Sequence, residues 1–184
     1  SLVAAWAALP NPITSPMQLE MTSLYGPQSD SLPLSLGPKN GASQVNTITI
    51  RPALGVDSIV HAANLQAGVS LLALDGADHV VLDGRPGGQG IAGVWTLRAI
   101  SVDNNTLALI NGAQHNVIQY LRIQNAGTAF TSRGLLLGTS PNDASGNSFN
   151  LVQYCIFQGA RTPINNNGSL GNPNRKNVIR ANEI

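Results

Sequence analysis

A single cysteine, Cys155, stands in 184 residues. It excludes an internal disulfide framework and any cysteine-built zinc cluster, and it leaves the redox compartment open. Charge is scarce too: 10% of residues are Asp, Glu, Lys or Arg, against about 25% in an ordinary globular protein. Ten basic and nine acidic side chains leave a net +1. That is far from the basic excess that displaces counterions from phosphate, so no nucleic-acid partner is expected. Long hydrophobic runs are missing as well. The longest, Leu2 to Leu9, is too short to span a bilayer and lacks the basic leader of a signal peptide, so no membrane span is expected. The chain starts at Ser1 rather than at Met, which reads as a processed or trimmed product and leaves an exported origin open.

What is present suits one folded, soluble domain. The hydrophobic content, 42%, is enough for a core without metal or disulfide staples. Gly (19), Pro (11) and Asn (19) together exceed a quarter of the chain, which favours short strands joined by tight turns. The first nine residues, SLVAAWAAL, place Leu2, Trp6 and Leu9 at i, i+4 and i+7, behind a Ser1 N-cap and ahead of a stop at Pro10. They predict one short amphipathic helix. Residues 10–45 are rich in Pro, Ser and Gly, with one strand expected at Met17 to Met21, and 1–45 reads as an N-terminal cap. From Asn46 to the end the chain becomes short β-branched runs (NTITI, VSLLAL, HVVL, WTLRAI, TLALI, NVIQYLRI, GLLL, NLVQYCIF, NVIRANEI), and no further helix is expected.

Self-comparison shows why. HNVIQYLRI (115–123), FNLVQYCIF (149–157) and KNVIRANEI (176–184) superpose without gaps. Upstream, LDGADHVVLDG (74–84) aligns with INGAQHNVIQY (110–120) through Gly76 and Gly112, His79 and His115, and Leu82 and Ile118. The aliphatic column Val81, Val117, Leu151 and Val178 recurs at 36, 34 and 27 residues. Such spacing without a helical period predicts an all-β parallel solenoid, each coil stacked on the last. Leu82, Ile118, Val152 and Ile179 would form one inward ladder, and Ile123, Phe157 and Ile184 another, at the ~4.8 Å strand spacing. Asn116, Asn150 and Asn177 would form a column of side-chain amides bonded to one another and satisfying bend backbone that strands cannot.

The columns N-x-[IV]-x-x-x-x-[IF], with LDGADHVVLDGRPGG and LINGAQHNVIQYLRIQN, resemble the right-handed parallel β-helix, or pectin-lyase-like, superfamily. More narrowly they resemble secreted or cell-surface β-helix proteins of Bacteroidota-type bacteria. The resemblance implies a right-handed parallel β-helix over residues 46–184, closed by the N-terminal helix, and an extracellular or cell-surface location. That solenoid carries lyases, hydrolases, adhesins and inert stalks alike. The sequence stops on an inward column with no polar cap after it, which reads as a fragment truncated from a longer protein or as a chain whose next coil something else supplies.

Several residue groups invite chemistry. Gly88, Gly90 and Gly93 spell G-x-G-x-x-G, but VWTLRAISV follows where a dinucleotide site needs a helix, so a loop is expected. Asp75, Asp78, Asp83 and Asp103 form the acidic cluster, and on adjacent coils they would face one groove, as calcium-binding or proton-transferring carboxylates do. Asp75 and Asp83 also precede Gly, where a carboxylate caps its own turn. Calcium is the one ion this cluster suggests, without a motif for it, and no cofactor is assigned. His79 and His115 share a column, which stacks two imidazoles, and Arg85, Arg98, Arg122 and Arg133 are the basic candidates. The candidate ligand-binding set is Asp75, Asp78, His79, Asp83, Arg85 and His115, with no catalytic residue assigned, because the superfamily's lyase and polygalacturonase signatures have no match.

Trp6, Trp95, Tyr25, Tyr120 and Tyr154 are the large aromatics that could stack on sugars. Trp6 reads as a cap residue, and Tyr120 with Tyr154 as a stack that either braces coils or presents a flat face. Cys155 shares a column with Leu121 and reads as a buried, inert thiol. Asn104 and Asn167 fit the glycosylation pattern by chance, and 158–175 reads as a polar insertion projecting from the wall. Three functions stay open: a rigid adhesion or display module contacting polysaccharide, part of a polysaccharide lyase or glycoside hydrolase, and an assembly component that pairs with a protein partner through an open final coil.

Overall fold

The computed structural model describes residues 1–26, 30–101, 103–139 and 146–184. It is a parallel β-solenoid of about four turns with one short helix. Helix α1 (Leu2–Ala8) starts where the Ser1 side chain accepts the Ala4 amide, and it buries Leu2 and Trp6. The strands are β1 (Met17–Met21), β2 (Leu34–Leu36), β3 (Ile48–Pro52), β4 (Ile59–Ala63), β5 (Ser70–Asp75), β6 (Val80–Asp83), β7 (Trp95–Ala99) and β8 (Asn105–Ile110). They continue as β9 (Val117–Gln119), β10 (Arg122–Asn125), β11 (Arg133–Leu137), β12 (Leu151–Gln153), β13 (Ile156–Gln158), β14 (Thr162–Asn166) and β15 (Val178–Arg180).

Three parallel sheets form the walls. The first runs β1-β3-β6-β9-β12-β15, the second β4-β7-β10-β13 and the third β2-β5-β8-β11-β14. The chain visits them in the order first, second, third, so β3-β4-β5, β6-β7-β8, β9-β10-β11 and β12-β13-β14 are four complete coils. β1 pairs in register with β3, and β2 with β5, so the stacking reaches N-terminal to Asn46.

The expected ladders are present except at Ile184, which is 75% exposed and lies outside the paired strands. Leu82 pairs with Ile118 and Ile118 with Val152, all essentially without exposed surface, and Ile179 continues the column. Ile123 and Phe157 pair likewise. Leu34, Leu72, Leu107 and Leu135 do the same on the third sheet. Inward residues at alternate positions of each strand thus meet their counterparts along the axis, and this column packing is the core.

Three readings change. The Asn column satisfies bend backbone as expected, but amide-to-amide bonding along it is nearly absent. Asn116 Oδ1 accepts Val80 N at 2.8 Å and its Nδ2 donates to Ala77 O at 2.9 Å, and Asn150 repeats the pattern on Asn116 N and Ala113 O. Only Asn150 to Asn177 adds an amide–amide contact, at 3.2 Å. Residues 158–175 do not project as one insertion, because 162–166 is β14, paired in register with β11. Its Asn residues mislead, since only Ile164 need face the core. Finally, Trp95 is fully buried rather than displayed.

Candidate functional site

The outer face of the first sheet is bordered on both sides by columns of left-handed residues. On its N-terminal side stand His79, His115, Phe149 and Lys176, with φ of 53–60°, and on its C-terminal side Tyr120, Tyr154 and Ala181, with φ of 52–55°. Turning the backbone this way at the same place in successive coils, from β6 onward on the first side and from β9 onward on the second, aims each side chain outward along one line. The result is two ridges along the solenoid axis, sustained by ring stacking despite the cost of a left-handed non-glycine residue.

On the first ridge, His79 and His115 lie 4.9 Å apart and 3° from parallel, and His115 stacks on Phe149 at 4.8 Å. Lys176 Nζ closes the stack 5.3 Å from the Phe149 centroid. Burial in the stack, with the neighbouring His115, holds the His79 imidazole below its usual pKa, against the opposing pull of Asp78. Each ring face is covered by the next, so this ridge offers ring edges rather than a flat platform. Between it and the outward aliphatic stripe Val81, Val117 and Leu151 runs a shallow groove of about 360 Å³.

On the second ridge Tyr120 and Tyr154 stack at 5.0 Å, and the Arg85 guanidinium lies 4.2 Å over Tyr120. Tyr154 N donates to Ala181 O, so the next residue in its column is only a methyl group, and Tyr154 is 45% exposed. On this ridge Tyr154 is the aromatic with ring surface to offer.

Between the ridges a polar ladder runs along the axis. Arg85 grips Asp83 through Nε and Nη2 at 3.0 and 2.7 Å, Gln119 Nε2 donates to Asp83 at 2.9 Å, Gln153 to Gln119 at 3.0 Å, and Arg180 to Gln153 at 2.8 Å. Burial alone would raise the Asp83 carboxyl, but the hydrogen bonds from Arg85 and Gln119 outweigh it and hold it below the carboxylate range. Asp83 is therefore a paired anion at neutral pH and carries no proton to donate.

The candidate residues fall into three places rather than one. His79 and His115 meet on the first ridge, beside Asp78, whose carboxylate accepts Gln114 N at 2.7 Å. Asp83 and Arg85 meet at the far end of β6, about 13 Å along the strand at ~3.3 Å per residue. Asp75 sits at the end of β5 and accepts Asn111 Nδ2 at 2.6 Å. Among the described residues, no three His, Cys, Asp or Glu side chains come together to hold a metal ion.

Phe149, Gln153 and Arg180 join the site beside Tyr154, which the sequence already marked as half of a stack able to present a flat face. Their signal was the shared column of the repeat. Other features keep to expectation. Gly88 closes a short 3-10 turn and Gly93 abuts Tyr120 O, where a Cβ would come within 1.6 Å, and β7 follows, so the glycine-rich segment is a loop. Asn104 is fully buried, which denies it a glycan. Cys155 is buried and its thiol is pushed up to about 12 by burial. A thiol reagent should label Cys155 at neutral pH only as fast as the protein unfolds, and rapid labelling of the native chain would contradict this position.

No helix among the described residues is long and apolar enough to cross a membrane. Comparison with protein families, with curated proteins and with solved structures finds no match to this chain.

Proposed function

We propose that this chain is a rigid β-solenoid display or adhesion segment of an exported cell-surface protein, contacting polysaccharide along the outer face of its first sheet. The repeat template's resemblance to the pectin-lyase-like superfamily, and within it to surface proteins of Bacteroidota-type bacteria, supports the location. The observation that carries the functional reading is the closed ladder Arg85–Asp83–Gln119–Gln153–Arg180. It holds the Asp83 carboxylate in an ion pair, as Arg51 holds that of Glu20 on the same face, which suits a stiff surface and not proton transfer. A glycan presents both hydroxyls and C–H faces, and the trough offers it amides and guanidinium groups beside aliphatic and aromatic surface.

The test is retention on a panel of insoluble neutral and uronic-acid polysaccharides, with the products analysed for cleavage. Retention without cleavage is expected, and Tyr154→Ala should weaken it about tenfold, the loss of roughly 1.4 kcal/mol. Specific cleavage would replace the reading with that of a lyase or hydrolase. Binding to no glycan, or binding indifferent to Tyr154, would remove the polysaccharide contact.

A further inference from the structure

Beneath α1 lies a buried polar cluster that the ladders do not require. His61 on β4 faces inward and has no exposed surface. Trp95 Nε1 donates to its Nδ1 at 3.0 Å, so Nδ1 carries the lone pair and the ring proton sits on Nε2. Nε2 is 2.6 Å from the Tyr25 hydroxyl, and that hydroxyl donates to Asp30. Asp30 Oδ1 in turn accepts the first amides of α1, Leu2 N at 2.6 Å and Val3 N at 3.4 Å. Donor to acceptor, the chain runs from Trp95 through His61 and Tyr25 to Asp30, and ends on the helix that closes the solenoid.

We infer that this relay is an acid-released latch: protonation of His61 breaks it and frees α1 from the first coil while the coils beyond stay stacked. An imidazolium would turn an N–H toward the Trp95 N–H, donor against donor, at a ring with no exposed surface. Burial accordingly holds His61 below the usual imidazole pKa, against the pull of Asp30, whose carboxylate lies 3.4 Å from Nε2. Asp30 and Tyr25 are the titratable groups touching His61. Burial would raise Asp30, but the bonds from Tyr25, Val3 and Leu2 outweigh it and keep it ionised, while burial and Asp30 keep Tyr25 protonated. Glu20 lines the small cavity beside Tyr25 and Leu2, and Lys39 reaches Ala7 O and Leu9 O at the other end of the helix.

The sign follows. A released His61 titrates near its ordinary ~6.5 and a latched one lower, so the released form takes the proton first. The latch is whole above pH ~6.5 and is lost as pH falls through the lower, latched value, with the latched-to-released ratio dropping up to about tenfold per unit between the two. The remaining coils are held by aliphatic columns and asparagine ladders that do not titrate.

Trp6, on α1 and buried, is the reporter. Lowering the pH from 7 to 4.5 should shift tryptophan emission to the red while the far-ultraviolet β signal persists, and Trp6→Phe should abolish the shift. His61→Gln keeps one acceptor and one donor without a titrating group, and it should keep the helix docked across the range. Tyr25→Phe cuts the relay and should expose Trp6 already at pH 7. A shift absent, coincident with loss of the β signal, or unchanged in His61→Gln would overturn the latch, as would a docked helix in Tyr25→Phe.

Discussion

Ile118→Asp should cost the protein about 5 kcal/mol or more and leave little folded chain at 25 °C. Ile118 has no exposed surface, and its neighbours along the axis are Leu82 and Val152, each paired with it residue for residue. Removing a buried aliphatic side chain of this size costs roughly 2–5 kcal/mol through lost transfer energy and the cavity left behind. The carboxylate then adds the penalty of a charge buried without a partner, several kcal/mol more unless it takes up a proton. Against a total stability of roughly 5–15 kcal/mol for a domain, that sum consumes most of what is available. Ile118→Val, which trims one methylene without opening a polar wound, should cost only about 1 kcal/mol. Chemical denaturation of the three proteins checks both expectations, and a melting curve for Ile118→Asp that matches the parent would mean that Ile118 does not face the core.

This position was legible because the solenoid repeats its own grammar. Where three segments superpose without gaps, a residue's column states its partners, its face and its burial, and the first- and second-sheet pairings of Ile118, Ile123 and Val152 follow from that alone. Legibility failed where the repeat is short or polar. β2 contributes only Leu34, Ser35 and Leu36, and β14 needs just one inward apolar residue, Ile164, between asparagines and a proline. β4 reads IVHAA, and its alternation of Ile59, His61 and Ala63 was the available sign that a histidine points inward.

The outer face failed in a different way. Columns were visible, so the stacked pairs His79–His115 and Tyr120–Tyr154 could be expected. The positive φ that aims them outward was not, because His, Phe, Tyr and Lys do not announce a left-handed backbone as Gly does. The Trp95–His61–Tyr25–Asp30 relay spans three separate parts of the chain with no motif linking them, and only the coiling brings them together.

The asparagine ladder carries the second large prediction, because its cost is set by what a substitution strands rather than by what it removes. Asn150 Oδ1 accepts Asn116 N at 2.9 Å and Nδ2 donates to Ala113 O at 3.0 Å, both inside the wall. Asn150→Leu has nearly the same shape and is more apolar, so a reckoning by burial alone would have it stabilise. Instead it leaves one backbone N–H and one carbonyl buried without partners, at about 1–3 kcal/mol each. A loss of about 2–5 kcal/mol is expected, with faster hydrogen exchange at the Asn116 amide. Asn177→Leu removes the equivalent bonds to Asn150 N and Asn147 O, but in a coil whose strand is exposed, where water can take their place, so it should cost clearly less. Equal losses at the two sites, or a gain at Asn150, would show that the stacked turns are held by their apolar columns alone and that these amides merely fill space.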